Sequence, residues 1–157
     1  MLSKNLQSFA KNNYLRNFSK LVAAKNSVLS TTKNKFVTTV DINDGQFSFS
    51  AGLPSDPYGG LGNGPKPLEI LLSSYATCSS LMGKYIAKDK GYPLQEIKCK
   101  VTYQKEGEVD QFLREIEFIG EGLTDEMKKT LIGGINSCPV HDILHNTKKE
   151  TITKMVN

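Results

Sequence analysis

The chain has few of the residues on which disulfide scaffolds and common zinc sites depend. Three of its 157 residues are cysteine, two are histidine and none is tryptophan. The cysteines, Cys78, Cys99 and Cys138, are odd in number and include no Cys-x-x-Cys pair, which argues against a disulfide framework and against the usual zinc spacing. Three interpretations stay open for these thiols: space-filling side chains, a metal site of another spacing, or redox chemistry.

Acidic side chains are absent from the first 40 residues, which hold seven Lys or Arg. The other residues hold thirteen basic and sixteen acidic side chains, so the net charge of +4 comes from the N-terminal segment. The rest of the chain therefore gives no reason to expect nucleic-acid binding. No apolar run approaches the ~20 residues that cross a bilayer, and membrane insertion is not expected.

The N-terminal segment has the composition of a targeting sequence. Leu2, Leu6 and Phe9 recur at helical spacing among basic, Ser and Asn residues, which is typical of a mitochondrial transit peptide. We therefore predict a transit peptide in residues 1–33 and a folded domain in residues 34–157. The alternative is a disordered basic tail on a cytoplasmic protein.

The first part of that domain reads as a β-hairpin, a loop and a long helix. Residues 35–51 alternate apolar and polar around Asp44-Gly45, a hairpin turn signal. The Gly- and Pro-rich residues 52–67 indicate a loop, and a helix is predicted from Pro67 to Lys90. Because this helix is apolar on most sides, we expect it to be buried by its own sheet and by a second subunit.

The second part adds strands and another helix, which gives an α+β fold. Alternation predicts strands in residues 94–106 and 111–122, and it directs Arg114 inward unless its guanidinium extends to solvent. Thr124 is predicted to cap a helix that ends near residues 136–138. A short helical turn and a last strand at residues 150–156 complete the order.

Cys138, His141 and His145 are spaced at i, i+3 and i+7, which would place them on one face of a continuous helix. Pro139 interrupts that geometry and no carboxylate completes the set, so we predict no metal site. Protonated His141 is instead a candidate for lowering the pKa of the Cys138 thiol.

Two segments together resemble the OsmC/Ohr family of osmotically induced and organic-hydroperoxide-resistance proteins. They are "GNGPKPLEILLSSYATCSSLMGKYIA", which carries Cys78, and "SCPVHDIL", which carries Cys138 sixty positions later. The resemblance covers residues 35–157 and is to a variant with a Gly-Pro-x-Pro-x-Glu stretch. It implies an N-terminal hairpin, a buried central helix and an intertwined homodimer.

The resemblance also implies a thiol peroxidase that reduces organic hydroperoxides in the oxidative stress response. Cys78 matches the peroxidatic cysteine, which becomes a sulfenic acid, and Cys138 matches the resolving cysteine, which forms a disulfide with it. A dithiol restores the pair, and in several members that reductant is a lipoylated protein. The resemblance implies no cofactor.

The chain departs from the family pattern at the residues that activate the thiol. Well-studied members use an Arg from the hairpin and a Glu ten residues before the cysteine, but here the hairpin has no Arg and Leu68 takes the Glu position. On a straight helix Glu69 would lie on the opposite side from Cys78 and about 13 Å from it along the axis. Glu69, Arg114 and His141 are therefore candidates for tuning the thiol. The alternative function is a divergent member with little peroxidase activity that binds an apolar small molecule.

Overall fold

The computed structural model describes residues 27–145 together with Thr153 and Met155. Its strands are β1 (Val28–Thr32), β2 (Thr38–Ile42), β3 (Phe47–Ala51), β4 (Glu96–Glu106) and β5 (Val109–Ile119). Its α-helices are α1 (Pro67–Lys90), α2 (Asp125–Ile135) and α3 (Pro139–His145), and a 3-10 turn lies at Asn34–Phe36. The predicted α+β fold is confirmed. The predicted last strand falls on residues that, apart from Thr153 and Met155, lie outside this description.

The chain divides into two compact units between Pro67 and Leu68. The first contains an antiparallel sheet in the order β1-β2-β3, in which Val40 pairs with Phe49. The predicted hairpin of β2 and β3 is confirmed, and its turn holds Asn43, Asp44 and Gly45 at positive φ angles of 51°, 56° and 86°. Gly and Asn or Asp are the residues that accept this backbone region most readily.

Strand β1 was not predicted from the sequence. It pairs with β2 and lies within the segment that we assigned to a transit peptide or tail. All five of its residues are exposed, so no alternation between apolar and polar positions marks it in the sequence. The assignment of residues 1–26 concerns positions outside the described residues and stays a prediction.

The second unit pairs β4 with β5 as a long hairpin, from Glu96 opposite Ile119 to Glu106 opposite Val109. Its turn contains Gly107 at a φ of 60°. Helix α2 begins where predicted, because the Thr124 side chain accepts a hydrogen bond from the Met127 N–H at 3.3 Å. The predicted helical turn after Cys138 is α3.

Helix α1 runs over the predicted range and packs closely against its neighbours. A Cβ atom on Gly83 would lie 2.6 Å from Ile97 Cδ1 and 3.1 Å from Ile135 Cδ1, so glycine permits this approach. The buried core of the unit consists mainly of Tyr75, Ser79, Met82, Ile86, Ala87, Leu94, Leu131, Ile135 and Cys138. No helix among residues 27–145 is long and apolar enough to cross a membrane.

The buried face of α1 is narrower than the stripe predicted from the sequence. Tyr75 and Met82 are buried as expected, but Leu71 and Tyr85 are 39% and 38% exposed. Leu81 is 58% exposed on the same side. The helix therefore has one face committed to the core of this unit and a second apolar face directed away from it.

Candidate active site

The fold brings together the two cysteines that the sequence analysis selected. Cys78 lies in the middle of α1, and Cys138 lies in the short link between α2 and α3. Their side chains are hydrogen-bonded to each other, and both are free thiols. Cys138 is 0% exposed, whereas Cys78 is half-buried. Neighbouring thiols of this kind can form a disulfide bond when their sulfur atoms reach ~2.05 Å from each other.

Backbone donors converge on the Cys138 sulfur. The His141 N–H donates to Cys138 Sγ at 3.3 Å, and the Val140 N–H also donates to it. The pKa of Cys138 is lowered first by the hydrogen bond from Cys78 and then, against the opposing effect of burial, by the His141 N–H, Arg114 and Val140. The pKa of Cys78 is raised, first by its hydrogen bond to Cys138 and next by burial. The ionisation of each thiol therefore depends on that of the other.

Arg114 directs its guanidinium inward from β5, on the face that alternation indicated. One nitrogen, Nη1, donates to Ser79 Oγ at 3.2 Å, and Nη2 donates to Asn136 Oδ1. The guanidinium carbon lies 5.3 Å from the centre of the Tyr75 ring, within the range of a cation–π contact. The alternative placement, with the charge extended to solvent, does not occur. Sequence alternation located Arg114, but nothing in the sequence identified Ser79 or Asn136 as its partners.

We expect the substitution Arg114→Met to raise the pKa of Cys138, since a nearby positive charge favours a thiolate. The measurement is the ultraviolet absorbance of the thiolate as a function of pH. Lys100→Met is the matched control, because Lys100 is an exposed cation on β4 whose ion pair is with Glu115. An unchanged titration in Arg114→Met would show that this guanidinium does not act on the thiols.

His141 contacts the thiol pair through its backbone and not through its ring. Its Nδ1 is 2.6 Å from the Tyr75 hydroxyl, in a cluster of aromatic rings that also includes Phe112 and His145. The pKa of His141 is lowered by burial and then by the nearby His145 and Arg114. The ring is therefore neutral near pH 7, and its influence on Cys138 comes from the N–H group.

Glu69 and Cys99 lie outside the pair of Cys78 and Cys138. Glu69 is exposed in the first turn of α1, and the uninterrupted helix keeps it about 13 Å along the axis from Cys78. Cys99 is half-buried on β4 and hydrogen-bonded to Ser79, and burial is the main cause that raises its pKa. In residues 27–145 no group of three or more His, Cys, Asp or Glu side chains is arranged to hold a metal ion.

A family model described as OsmC-like protein matches residues 60–153, which is more than half of the chain. The chain belongs to the OsmC-like protein family. This match includes both cysteines of the site. A search of curated proteins found no match for this OsmC-like protein.

Solved structures agree with the fold of this OsmC-like protein. An OsmC-like protein from Mycoplasma pneumoniae is 19% identical, with a TM-score of 0.62 and coverage of 78% of this chain and 88% of that one. An organic hydroperoxide resistance protein from Legionella pneumophila is 15% identical, with a TM-score of 0.58 and coverage of 78% and 90%. OhrB of Bacillus subtilis is 17% identical, with a TM-score of 0.56 and coverage of 79% and 93%. At these identities the comparison shows the fold alone.

Proposed function

We propose that this OsmC-like protein is a thiol peroxidase that reduces organic hydroperoxides and acts in the response to oxidative stress. The observation that carries the proposal is the hydrogen-bonded pair of Cys78 and Cys138, with a guanidinium held nearby by Ser79 and Asn136. The names of two structural neighbours, which refer to organic hydroperoxide resistance, support the same reaction.

In the proposed reaction the Cys78 sulfur attacks the terminal oxygen of the hydroperoxide. The O–O bond breaks, an alcohol leaves and Cys78 becomes a sulfenic acid. The Cys138 thiolate then attacks the Cys78 sulfur and displaces hydroxide, which leaves a disulfide and, after protonation, water. A dithiol reductant, in the form of a lipoylated protein, restores both thiols by exchange. The cycle needs no other cofactor.

The surroundings of the pair favour a peroxide with an apolar or aromatic substituent. Tyr75 and Phe112 contribute aromatic surface next to the arginine, with ring centres 6.2 Å apart. Burial of apolar substituent area against such surface contributes roughly 25 cal/mol per Å². Hydrogen peroxide has no substituent to gain this energy.

A different function, binding of an apolar small molecule with little peroxidase activity, is favoured by one observation. The hairpin that carries the activating Arg in well-studied members has none here. The two functions differ in whether peroxide is consumed catalytically.

Steady-state turnover of cumene hydroperoxide with dihydrolipoamide as reductant tests the peroxidase proposal. We expect catalytic consumption of one dithiol per peroxide, and a higher kcat/KM for cumene hydroperoxide than for hydrogen peroxide. A protein that binds an apolar fluorescent probe but consumes neither peroxide would contradict the proposal and support the binding function. Reduced protein without added dithiol should consume one peroxide and lose two thiols.

We further propose that the functional unit is a homodimer formed through the exposed face of α1. Leu71, Leu81 and Tyr85 are the exposed apolar residues of this face, and their spacing places them on one side of the helix. We expect Leu81→Lys to weaken the dimer, because a buried ammonium without a partner is strongly unfavourable. Analytical ultracentrifugation over a range of concentrations measures this.

Ile132→Lys is the control, since Ile132 is 37% exposed on a different helix. Dimerisation that is equally strong in Leu81→Lys and in the unmodified protein would contradict this interface. A monomeric unmodified protein would contradict the dimer itself.

For the N-terminal segment we propose mitochondrial targeting. We expect residues 1–35 fused to a fluorescent reporter to direct it to mitochondria, because the segment is basic, contains no acidic residue and has apolar residues at helical spacing. Replacing its basic residues by glutamine should abolish the localisation. A diffuse cytosolic signal from the unmodified fusion would contradict the proposal.

A further inference from the structure

We propose that Arg114 is a bridge that holds the chain segments of Cys78 and Cys138 at a fixed separation, so that their disulfide closes quickly. Ser79 and Asn136 are the residues that position this bridge. The bridge acts on the second step of the oxidation, in which the disulfide forms. This inference rests on the proposed peroxidase function and names the residues on which that step depends.

The first argument is the place in the chain of the two residues that bind the guanidinium. Nη1 of Arg114 donates to Ser79 Oγ at 3.2 Å, and Ser79 directly follows Cys78. Nη2 donates to Asn136 Oδ1, and Asn136 comes two residues before Cys138. A guanidinium presents its N–H groups in a fixed fork, so two acceptors on different nitrogens are held at a fixed separation. One planar group therefore connects the two segments that carry the cysteines.

The second argument is that the bridge is held firmly at its α1 end. Ser79 is 0% exposed, and its hydroxyl donates to the Tyr75 carbonyl oxygen at 2.9 Å. This bond orients the hydroxyl oxygen so that its lone pairs accept from Arg114. Arg114 itself comes from the middle of β5, where it is paired with Val101 of β4. Both partners of this contact therefore belong to regular elements and do not move independently of them.

The third argument is that the position of Asn136 determines the position of Cys138. The N–H groups of Asn136, Ser137 and Cys138 donate to carbonyl oxygens in the last turn of α2, at 3.0, 3.0 and 3.1 Å. The Cys138 carbonyl oxygen accepts from the Asp142 N–H at 3.0 Å, and the Cys138 sulfur accepts from the His141 N–H at 3.3 Å. The link between α2 and α3 therefore moves as one unit. An anchor on the Asn136 side chain fixes the Cys138 sulfur opposite α1.

Closure of the disulfide requires the two sulfur atoms to meet. The Cys138 thiolate attacks the sulfur of the Cys78 sulfenic acid, the S–S bond forms, the S–O bond breaks and hydroxide leaves. In the bridged arrangement the two thiols are already hydrogen-bonded to each other. A misplacement of about 1 Å between reacting groups can cost about 10²-fold in rate. Loss of either anchor should therefore slow closure and leave the attack of Cys78 on the peroxide unchanged.

Closure is tested without peroxide, by equilibrating the protein in mixtures of reduced and oxidised glutathione. Oxidised glutathione takes two electrons and two protons from Cys78 and Cys138, which form a disulfide, and becomes two molecules of reduced glutathione. The equilibrium constant, read by mass spectrometry of the Cys78–Cys138 disulfide, is the effective concentration of one thiol at the other. We expect this effective concentration to fall about tenfold in Asn136→Ala and in Ser79→Ala.

Three further variants distinguish a bridge from a charge or from general damage. Ser80→Ala is the matched control and should close like the unmodified protein, because Ser80 makes the same kind of bond, to the Ala76 carbonyl oxygen at 3.1 Å. Asn136→Asp keeps an oxygen acceptor for Nη2 and should also close normally. Arg114→Lys keeps the positive charge, but an ammonium lacks the fork that binds two acceptors, so its closure should weaken like that of the alanine variants.

Two results would overturn the proposal. One is normal closure in both alanine variants, and the other is normal closure in Arg114→Lys, which would assign the effect to charge alone. Circular dichroism of each variant checks that it is folded.

A single turnover with cumene hydroperoxide separates this inference from the proposed function. We expect Asn136→Ala to form the Cys78 sulfenic acid, trapped with dimedone, at the rate of the unmodified protein, and to form the disulfide about tenfold more slowly. If the variant forms the disulfide at the normal rate, or if both steps slow equally, the bridge fails and the peroxidase function stands. If the unmodified protein forms no sulfenic acid, the peroxidase function fails, and the glutathione equilibrium still decides whether Arg114 bridges the pair.

Discussion

Replacing Cys78 by serine is expected to reduce hydroperoxide turnover by about 10³-fold or more, because removal of a nucleophile eliminates the covalent route. A serine hydroxyl is far less acidic than a thiol and does not form a sulfenic acid. The variant therefore has no nucleophile at this position to take up the terminal peroxide oxygen. Steady-state consumption of cumene hydroperoxide with dihydrolipoamide measures the effect. Turnover that survives the substitution would reject the mechanism.

Two companion variants make this result specific. Cys138→Ser should also lose turnover, but it should retain a single oxidation that stops at the Cys78 sulfenic acid. Cys99→Ser should keep turnover close to that of the unmodified protein, since Cys99 is not part of the hydrogen-bonded pair. Equal losses in all three variants would indicate general damage to the fold instead of loss of one reaction step.

The substitution Gly120→Ala is expected to lower the free energy of unfolding by about 3 kcal/mol, at the upper end of the usual cost of overpacking. Gly120 follows β5, where the Ile119 carbonyl accepts a hydrogen bond from the Gln95 N–H at 2.8 Å. A Cβ atom at Gly120 would collide with the backbone carbonyl oxygen of Pro93. Because the obstacle is backbone, the strand end must move to relieve the clash.

Gly133→Ala provides the matched control for this prediction. Gly133 lies in α2, and a Cβ atom there would meet nothing within 4 Å. Alanine in a helix interior is favoured over glycine by roughly 0.5–1 kcal/mol, so this variant should become more stable. Urea denaturation of both variants measures the difference. Equal stability of Gly120→Ala and the unmodified protein would contradict the close approach to Pro93.

The parts of the fold that were predicted correctly depend on local signals. The Asp44-Gly45 turn, Thr124 as a helix cap and the extent of Pro67–Lys90 each depend on residues near one another in the chain. Strand β1 could not be predicted in this way, because its residues are exposed and its assignment depends on pairing with β2. The face that α1 buries was predicted only in part, since helical spacing does not say which apolar side meets the sheet.

In the site, too, the sequence predicted only what local patterns specify. The two cysteines followed from motifs, and the inward direction of Arg114 followed from strand alternation. The partners of Arg114, Ser79 and Asn136, depend on how β5 meets α1 and the end of α2, which no local pattern specifies. The donation from the His141 N–H to Cys138 is likewise a backbone contact that does not depend on the identity of the side chain.

The double attachment of Arg114 has a consequence for how this protein can vary. The guanidinium joins Ser79 on α1 to Asn136 at the end of α2, and it is also the cation that favours the Cys138 thiolate. The same side chain therefore contributes both to cohesion between secondary-structure elements and to the acidity of a thiol. We therefore expect a substitution of Arg114 to change both the acidity of the Cys138 thiol and the thermal stability of the protein.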